Sequence, residues 1–389
     1  MKVAIASFLV PYFFLSSFAQ AELIVAVVAP LKSPDYASVG AQMRAGAEQA
    51  IEDINAVRKA NGRDLLVLQM LDDECNTERG MTLANQIANQ GFPLIVGHFC
   101  SWVSVPAGDI YSKDSILQIV PFSSMPSGSS TTTLFRLTGT LANQASTFVT
   151  WLDAKIQADG LTSDVVDVAI VADQTPHALE LADQVLLQLR TVGIDRPETI
   201  TDDPRRFNIV KKDPAEIAKL ANDVVGWGPE VVFFAGYHPE ISALTRVVKT
   251  NLPNARVFIS DANVTTPFVD GTLGLPSNPP TFVFPANPIP PQCSGPSIPA
   301  QCNVVAKISA RLGGGVRVEP AALFTFGAIE LWAQAEEMAG PWKVDQALNQ
   351  TAQFSTQALG QVGFQNGDTK DQQFYFYTWT SSNLNAHAP

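Results

Sequence analysis

From Leu23 to Val28 the chain is apolar and rich in β-branched residues, as a strand buried on both faces would be. Val39 to Lys59 switches to helical spacing. Met43, Ala47, Ala50, Ile51 and Ile54 share one face, while Arg44, Glu48 and Asp53 lie elsewhere. The alternation continues with strands predicted over 65–71, 93–96 and 116–120 and helices over 77–89 and 103–111. Strand and helix taking turns mean βαβ units and a parallel sheet. A second block follows, with helices over 141–156, 178–191, 214–225 and 240–250, and strands over 165–171, 231–235 and 256–260. Pro214 suits the first turn of its helix. Two successive α/β blocks of similar size predict two lobes.

Past Gly271 the pattern changes. Nine of the 27 prolines fall between Pro276 and Pro299, a density that forbids helix and central strand. The stretch reads as an ordered loop with one crossing strand, Thr281 to Phe284. Helices over 304–312 and 321–339 and an aromatic strand over 374–379 close the chain.

The first 21 residues serve another purpose. Lys2 is the only charge before Glu22, Val3 to Phe18 is almost wholly apolar, and Ala19-Gln20-Ala21 has the small-x-small form read by signal peptidase. An uncleaved anchor needs roughly 20 apolar residues, and Pro11 with the Ala-x-Ala exit favours cleavage after Ala21. No Cys follows for a lipid. The expected mature chain starts at Glu22 and is exported to the periplasm.

Composition narrows the partners. Hydrophobic residues make up 46% of the 389, enough for large cores, and the net charge is −12. Nucleic acid and anionic membranes are excluded on that charge, because both are bound through clustered Lys and Arg. In an exported chain the four cysteines read as disulfides. Of three pairings, nearest neighbours give Cys75 with Cys100 and Cys293 with Cys302. Zinc is disfavoured, since there is no Cys-x-x-Cys and His98, His177, His238 and His387 are isolated from one another. No metal or cofactor is expected.

In open parallel sheets, ligands bind beyond the carboxyl ends of strands. Three such ends carry small hydroxyls or carboxylates: Cys100-Ser101-Trp102, Pro121-Phe122-Ser123-Ser124 and Asp261-Ala262-Asn263. Ser101 at a helix N-cap, backed by free N–H groups, makes a carboxylate site. Hydrolase, zincin and P-loop motifs are absent. Gly313-Gly314-Gly315 lacks the following Lys and reads as a helix end. The chain is therefore expected to bind rather than catalyse.

At these positions the sequence resembles the periplasmic leucine/isoleucine/valine-binding protein family, the type I solute-binding proteins of ATP-driven importers. The likeness runs in order through Val25-Ala26-Val27-Val28, Gly46 to Asn55, Asp72-Asp73-Glu74-Cys75, Val96 to Ser101, Asp109-Ile110-Tyr111, Gly236 to Glu240 and the stretch from Gly363 to Tyr377. It implies two Rossmann-like α/β lobes with central parallel sheets and three hinge crossings, near Gly139, Pro285 and Gly363. Lobe 1 would comprise 22–139 and 286–362, and lobe 2 would comprise 140–285 and 363–389. It supports the Cys75–Cys100 bridge. It also implies a monomer that clamps a small solute, a neutral or branched-chain amino acid, and delivers it to a membrane permease. A sensory module of a membrane receptor, or a binder of amides, urea or aromatic acids, would use the same clamp.

Carried over residue by residue, Ser101 matches the serine that binds the ligand α-carboxylate. Ser123 and Ser124 fall on the loop that adds backbone groups and a hydroxyl, and Tyr237 matches an aromatic cover from the second lobe. Three departures mark this sequence. His177 stands in place of a tyrosine, and Trp102 in place of a small residue. Asp261 lies one position from the glutamate that meets the α-ammonium, with Ala262 directly on it.

Overall fold

The computed structural model describes residues 22–125, 133–160, 166–194, 205–209, 213–272, 275, 280–285, 293, 299–313, 315–379 and 384–386. The expected signal segment, most of the Pro-rich loop, Gly314 and His387 lie outside them. In chain order the first block is β1 (Glu22–Ala29), α1 (Ala37–Ala60), β2 (Leu65–Asp72), α2 (Thr77–Ala88), β3 (Leu94–Val96), α3 (Ser101–Lys113), β4 (Gln118–Val120) and β5 (Leu134–Arg136). The second is α4 (Leu141–Ala158), β6 (Val168–Ala172), α5 (Pro176–Thr191), β7 (Arg205–Asn208), α6 (Pro214–Trp227), β8 (Val231–Phe234), α7 (Glu240–Asn251) and β9 (Arg256–Ser260). A 3₁₀ turn over Asp261–Asn263, α8 (Thr266–Thr272) and β10 (Thr281–Pro285) complete it. Then come α9 (Ala300–Arg311), α10 (Pro320–Ala339), α11 (Val344–Gln350), β11 (Phe354–Thr356), β12 (Gly360–Val362), β13 (Phe364–Gln365), β14 (Asp368–Thr369), β15 (Phe374–Trp379) and β16 (Leu384–Ala386).

The strands form two large sheets, ordered β13-β14-β5-β4-β3-β1-β2 and β16-β15-β10-β9-β8-β6-β7. Each contains the doubly wound order 2-1-3-4-5, in parallel register, with antiparallel pairs only at the ends added late in the chain. The fold is thus two α/β lobes, as expected. β10 sits in the middle of the second sheet between β9 and β15, and Pro285 forms its last residue.

The chain passes between the sheets three times: between Arg136 and α4, between Pro285 and α9, and between Thr369 and Phe374. The third does not fall at Gly363, because the β13–β14 hairpin remains on the first sheet, where Asp368 registers with Arg136 and its carboxylate pairs with that guanidinium. A two-residue strand has too few side chains to show a period, so this hairpin was invisible to patterning.

Close packing fixes the first lobe. A Cβ on Gly46 would stand 2.0 Å from the carbonyl oxygen of Ala322, so α1 and α10 approach as only glycine allows. Gly97, at the end of β3, has φ 123° and would put a Cβ 2.3 Å from the Val28 carbonyl oxygen. The disulfides pair Cys75 with Cys100 and Cys293 with Cys302, at Cα separations of 5.5 and 5.4 Å. His98 is structural. It is buried, with Nδ1 2.7 Å from Asp73 and Nε2 3.1 Å from the Tyr111 hydroxyl. No helix among the described residues is long and apolar enough to cross a membrane.

Candidate functional site

In a doubly wound sheet the first and third strands diverge into connections on opposite faces, leaving a crevice past their carboxyl ends. This chain has two such crevices, and they face each other. In the first lobe the connections after β1 and β3 bring Val39, Phe99 and Ser101 to the crevice; in the second, those after β6 and β8 bring His177 and Tyr237. Asp261, past β9, and Glu319, just before α10, complete the polar wall, with Phe122, Phe284 and Ala321 among its apolar members.

Aromatic rings hold the lobes together at this point. Tyr237 of the second lobe meets Tyr36 and Trp102 of the first edge to face, each at 5.6 Å between centroids. Glu319 Oε1 accepts a hydrogen bond from the Thr266 backbone N–H at 2.8 Å, and Arg317 pairs with Asp270 at 2.8 Å, both between lobes. One hydrophobic core therefore runs without interruption from the first sheet into the second. The space left at its centre is a cavity of about 20 Å³, enough for one or two waters.

Ser101 is buried and lines the cavity, but it is not the helix N-cap. Cys100, extended and tied to Cys75, takes that place, and Ser101 is the first helical residue. Its hydroxyl is thereby released from capping, in a first turn where the Val103 and Ser104 N–H groups both bond the Cys100 carbonyl. Asp261 is the first residue of the 3₁₀ turn, with Ser260 at the N-cap, and its carboxylate also takes the backbone N–H of Ala262. Its Oδ1 accepts from Gln144 Nε2 at 3.1 Å, and the same amide donates to the Val283 carbonyl at 2.7 Å, so α4 holds the carboxylate in place. Burial pushes the Asp261 carboxyl up to about 6.

His177 follows Pro176 in the first turn of α5. It is 2% exposed, and neither ring nitrogen has a hydrogen-bond partner. Burial lowers it to about 4, so the ring is neutral at physiological pH. Asp173 fixes the neighbouring loop: Oδ1 accepts from the Thr175 N–H at 2.8 Å and Oδ2 from the Tyr237 N–H at 3.0 Å. Burial also raises the Tyr237 phenol well above its usual value.

Ser101, His177, Tyr237 and Asp261 are thus brought together on one cavity. Three other candidates stand behind it. Trp102 spends its indole N–H on the Cys75 carbonyl at 2.9 Å and its ring on Tyr237. The Ser123 carbonyl accepts from Arg136 Nε at 2.9 Å. Ser124 is buried with its hydroxyl unpartnered, and its carbonyl accepts the Leu141 N–H at the first crossing. Sequence reasoning missed Tyr36, Gln144 and Glu319. Glu319 stands just before a Pro at the first turn of a helix, which reads as an ordinary helix start.

The periplasmic binding protein family matches residues 22–383 of the chain. A Leu/Ile/Val-binding protein homolog of Brucella melitensis is 29% identical over 381 residues, covering 93% of this chain and 91% of the relative. Among solved structures, the leucine-binding protein LivK of Thermotoga maritima superposes with a TM-score of 0.76 at 15% identity, covering 94% of this chain and 97% of that one. LivJ of Streptococcus pneumoniae, in complex with isoleucine, superposes with a TM-score of 0.74 at 16% identity, covering 94% and 98%.

Proposed function

The chain belongs to the periplasmic binding protein family, and from that premise we propose that it is the extracytoplasmic solute-binding component of an ABC importer, taking a neutral amino acid. The observation that carries this reading is the opposition of Ser101 and Asp261 on one cavity, one from each lobe. Ser101 with the first N–H groups of α3 receives the α-carboxylate. Asp261, held by Gln144, receives the α-ammonium. Tyr237 covers the solute, and neutral His177 adds a donor without a competing charge. The two ends of the zwitterion lie on different lobes, so binding and closure are coupled. The apolar wall of Val39, Phe99, Phe122 and Phe284 suits an aliphatic side chain. The B. melitensis relative named for leucine, isoleucine and valine supports the amino-acid class. Export by the first 21 residues, action as a monomer and hand-over to a membrane permease belong to the same reading.

The test is a thermal-shift and calorimetric screen of mature protein, unfolded, stripped and refolded, against the standard amino acids, simple amides, urea and benzoate. A ligand at a hundred times its Kd adds about 2.7 kcal/mol of stability, a clear shift in Tm. Stabilisation by an amino acid supports the proposal. Stabilisation by benzoate or urea alone, with no amino acid active, would overturn it.

A further inference from the structure

One ionisable group on the cavity wall has no part in holding an α-carboxylate or α-ammonium. Glu319 is 2% exposed and faces the cavity from the first lobe. Its backbone N–H donates to Gln42 Oε1 at 3.0 Å, which pins the residue to α1. Its Oε1 is taken by the Thr266 N–H of the second lobe. Its Oε2 is buried and has no partner. Buried acceptors without donors are costly and rare, and each one calls for an explanation.

Of the other polar groups, the Thr266 hydroxyl is buried on the same carboxyl from the second lobe, and the His177 ring nitrogens have no partner. Ser101 and α3 face the carboxylate, and Asp261 faces the ammonium with His177 3.9 Å away. Thr265 accepts the Phe268 N–H within its own loop. The remaining wall around Glu319 is apolar, with Pro320 and Ala321 next to it and Phe284 from the crossing strand.

We propose that Glu319 selects the solute's side chain: the ligand is an amino acid with an aliphatic stem ending in an N–H donor, an amide or a cation, that hydrogen-bonds Glu319 Oε2. This rests on the amino-acid reading above, keeps its amide-bearing neutral members and extends it to cationic side chains. A purely aliphatic side chain would leave the oxygen buried and unpaired. A carboxylate side chain would be repelled. A latch between lobes through Thr266 would not discriminate among side chains at all.

Calorimetry on the refolded mature protein tests this with leucine, its near-isostere asparagine, glutamine, lysine, arginine and glutamate. At least one donor-bearing ligand is expected to bind roughly ten- to a hundredfold tighter than leucine, the worth of one hydrogen bond to a charged group, and glutamate weakest. Glu319→Ala should bring that ratio close to one. Glu319→Gln should do the same for lysine and arginine, whose side chains bring no acceptor to its NH₂, while keeping an acceptor for the Thr266 N–H. It serves if the alanine variant does not fold. If both variants weaken every ligand by the same factor, Glu319 is a latch and the proposal fails. Leucine binding tightest to the parent protein overturns the proposal and leaves the amino-acid reading standing. No amino acid binding at all overturns both.

Discussion

His177 Nε2 stands 3.9 Å from Asp261 Oδ1, with both side chains buried in the seam between the lobes. Burial moves the two groups in opposite directions. Asp261 rises from its ordinary 3.8 to about 6, and His177 falls from 6.5 to about 4. Near pH 5 the folded protein therefore keeps both neutral, whereas the unfolded chain ionises both.

The two groups make opposing contributions to stability in that window. For Asp261 the folded state binds more protons than the unfolded state, so its contribution is complete below pH 3.8 and is lost as pH rises to about 6. For His177 the unfolded state binds more, so stability is regained as pH rises from about 4 to 6.5. Each is worth on the order of 3 kcal/mol, and the slopes largely cancel. The summed contribution of this pair to urea melts of ligand-free protein between pH 4 and 6.5 should be nearly flat. His177→Gln should leave stability falling with pH, and Asp261→Asn should leave it rising. Identical slopes in all three proteins would refute the assignment.

Ligand affinity carries a different pH signature. Only ionised Asp261 attracts an ammonium, so affinity should fall as pH drops through about 6, approaching tenfold per unit. Asp261→Asn should lower affinity at pH 7.5 by roughly ten- to a hundredfold, matching the loss of one charge-assisted hydrogen bond. It should also flatten the profile. A variant that binds as tightly as the parent would mean that the ammonium is held elsewhere.

Trp102 should report closure. Its ring lies 5.6 Å from Tyr237 across the seam, while its N–H stays bound to Cys75 in its own lobe. Opening removes the Tyr237 ring and wets the indole. Tryptophan fluorescence is expected to shift to the blue on saturation with ligand, and Trp102→Phe should remove most of that change. A full shift in the variant would place the reporter among the other five tryptophans.

The disulfides should act unequally on stability and binding. Each closes a loop, 25 residues for Cys75–Cys100 and 9 for Cys293–Cys302, worth about 3 kcal/mol in a chain-entropy account. Only the first fixes the residue that caps α3 beside Ser101. Paired Cys→Ser changes at 75 and 100 should lower both Tm and affinity, and those at 293 and 302 should lower Tm alone. Equal loss of affinity in both pairs would contradict this.

Gly46→Ala checks the first lobe. The added Cβ meets a backbone carbonyl at 2.0 Å, so the helices must part, at a cost of roughly 1–3 kcal/mol. An unchanged Tm would show that α1 and α10 do not pack so closely.

Long apolar runs and sustained helical periods were legible without coordinates, because each records one local choice repeated over many residues. β1, α1, β9, α10 and β15 fall close to where patterning placed them, and two α/β blocks implied two parallel sheets. The paired cysteines and the strand-end serine and aspartate followed from simple rules. Among the short elements, β3, β4 and β8 were read from their apolar runs, and others were not. β5, β7 and the β13–β14 hairpin span two to four residues each, too few to display a period, and so the third crossing was misplaced. The strand order that opposes two crevices comes from long-range pairing, which no local pattern contains. Three-dimensional packing also decided which polar residues share the cavity. It turned Trp102 toward Tyr237, made Cys100 rather than Ser101 the cap, and brought Glu319 from 58 residues further along the chain to the wall opposite Asp261.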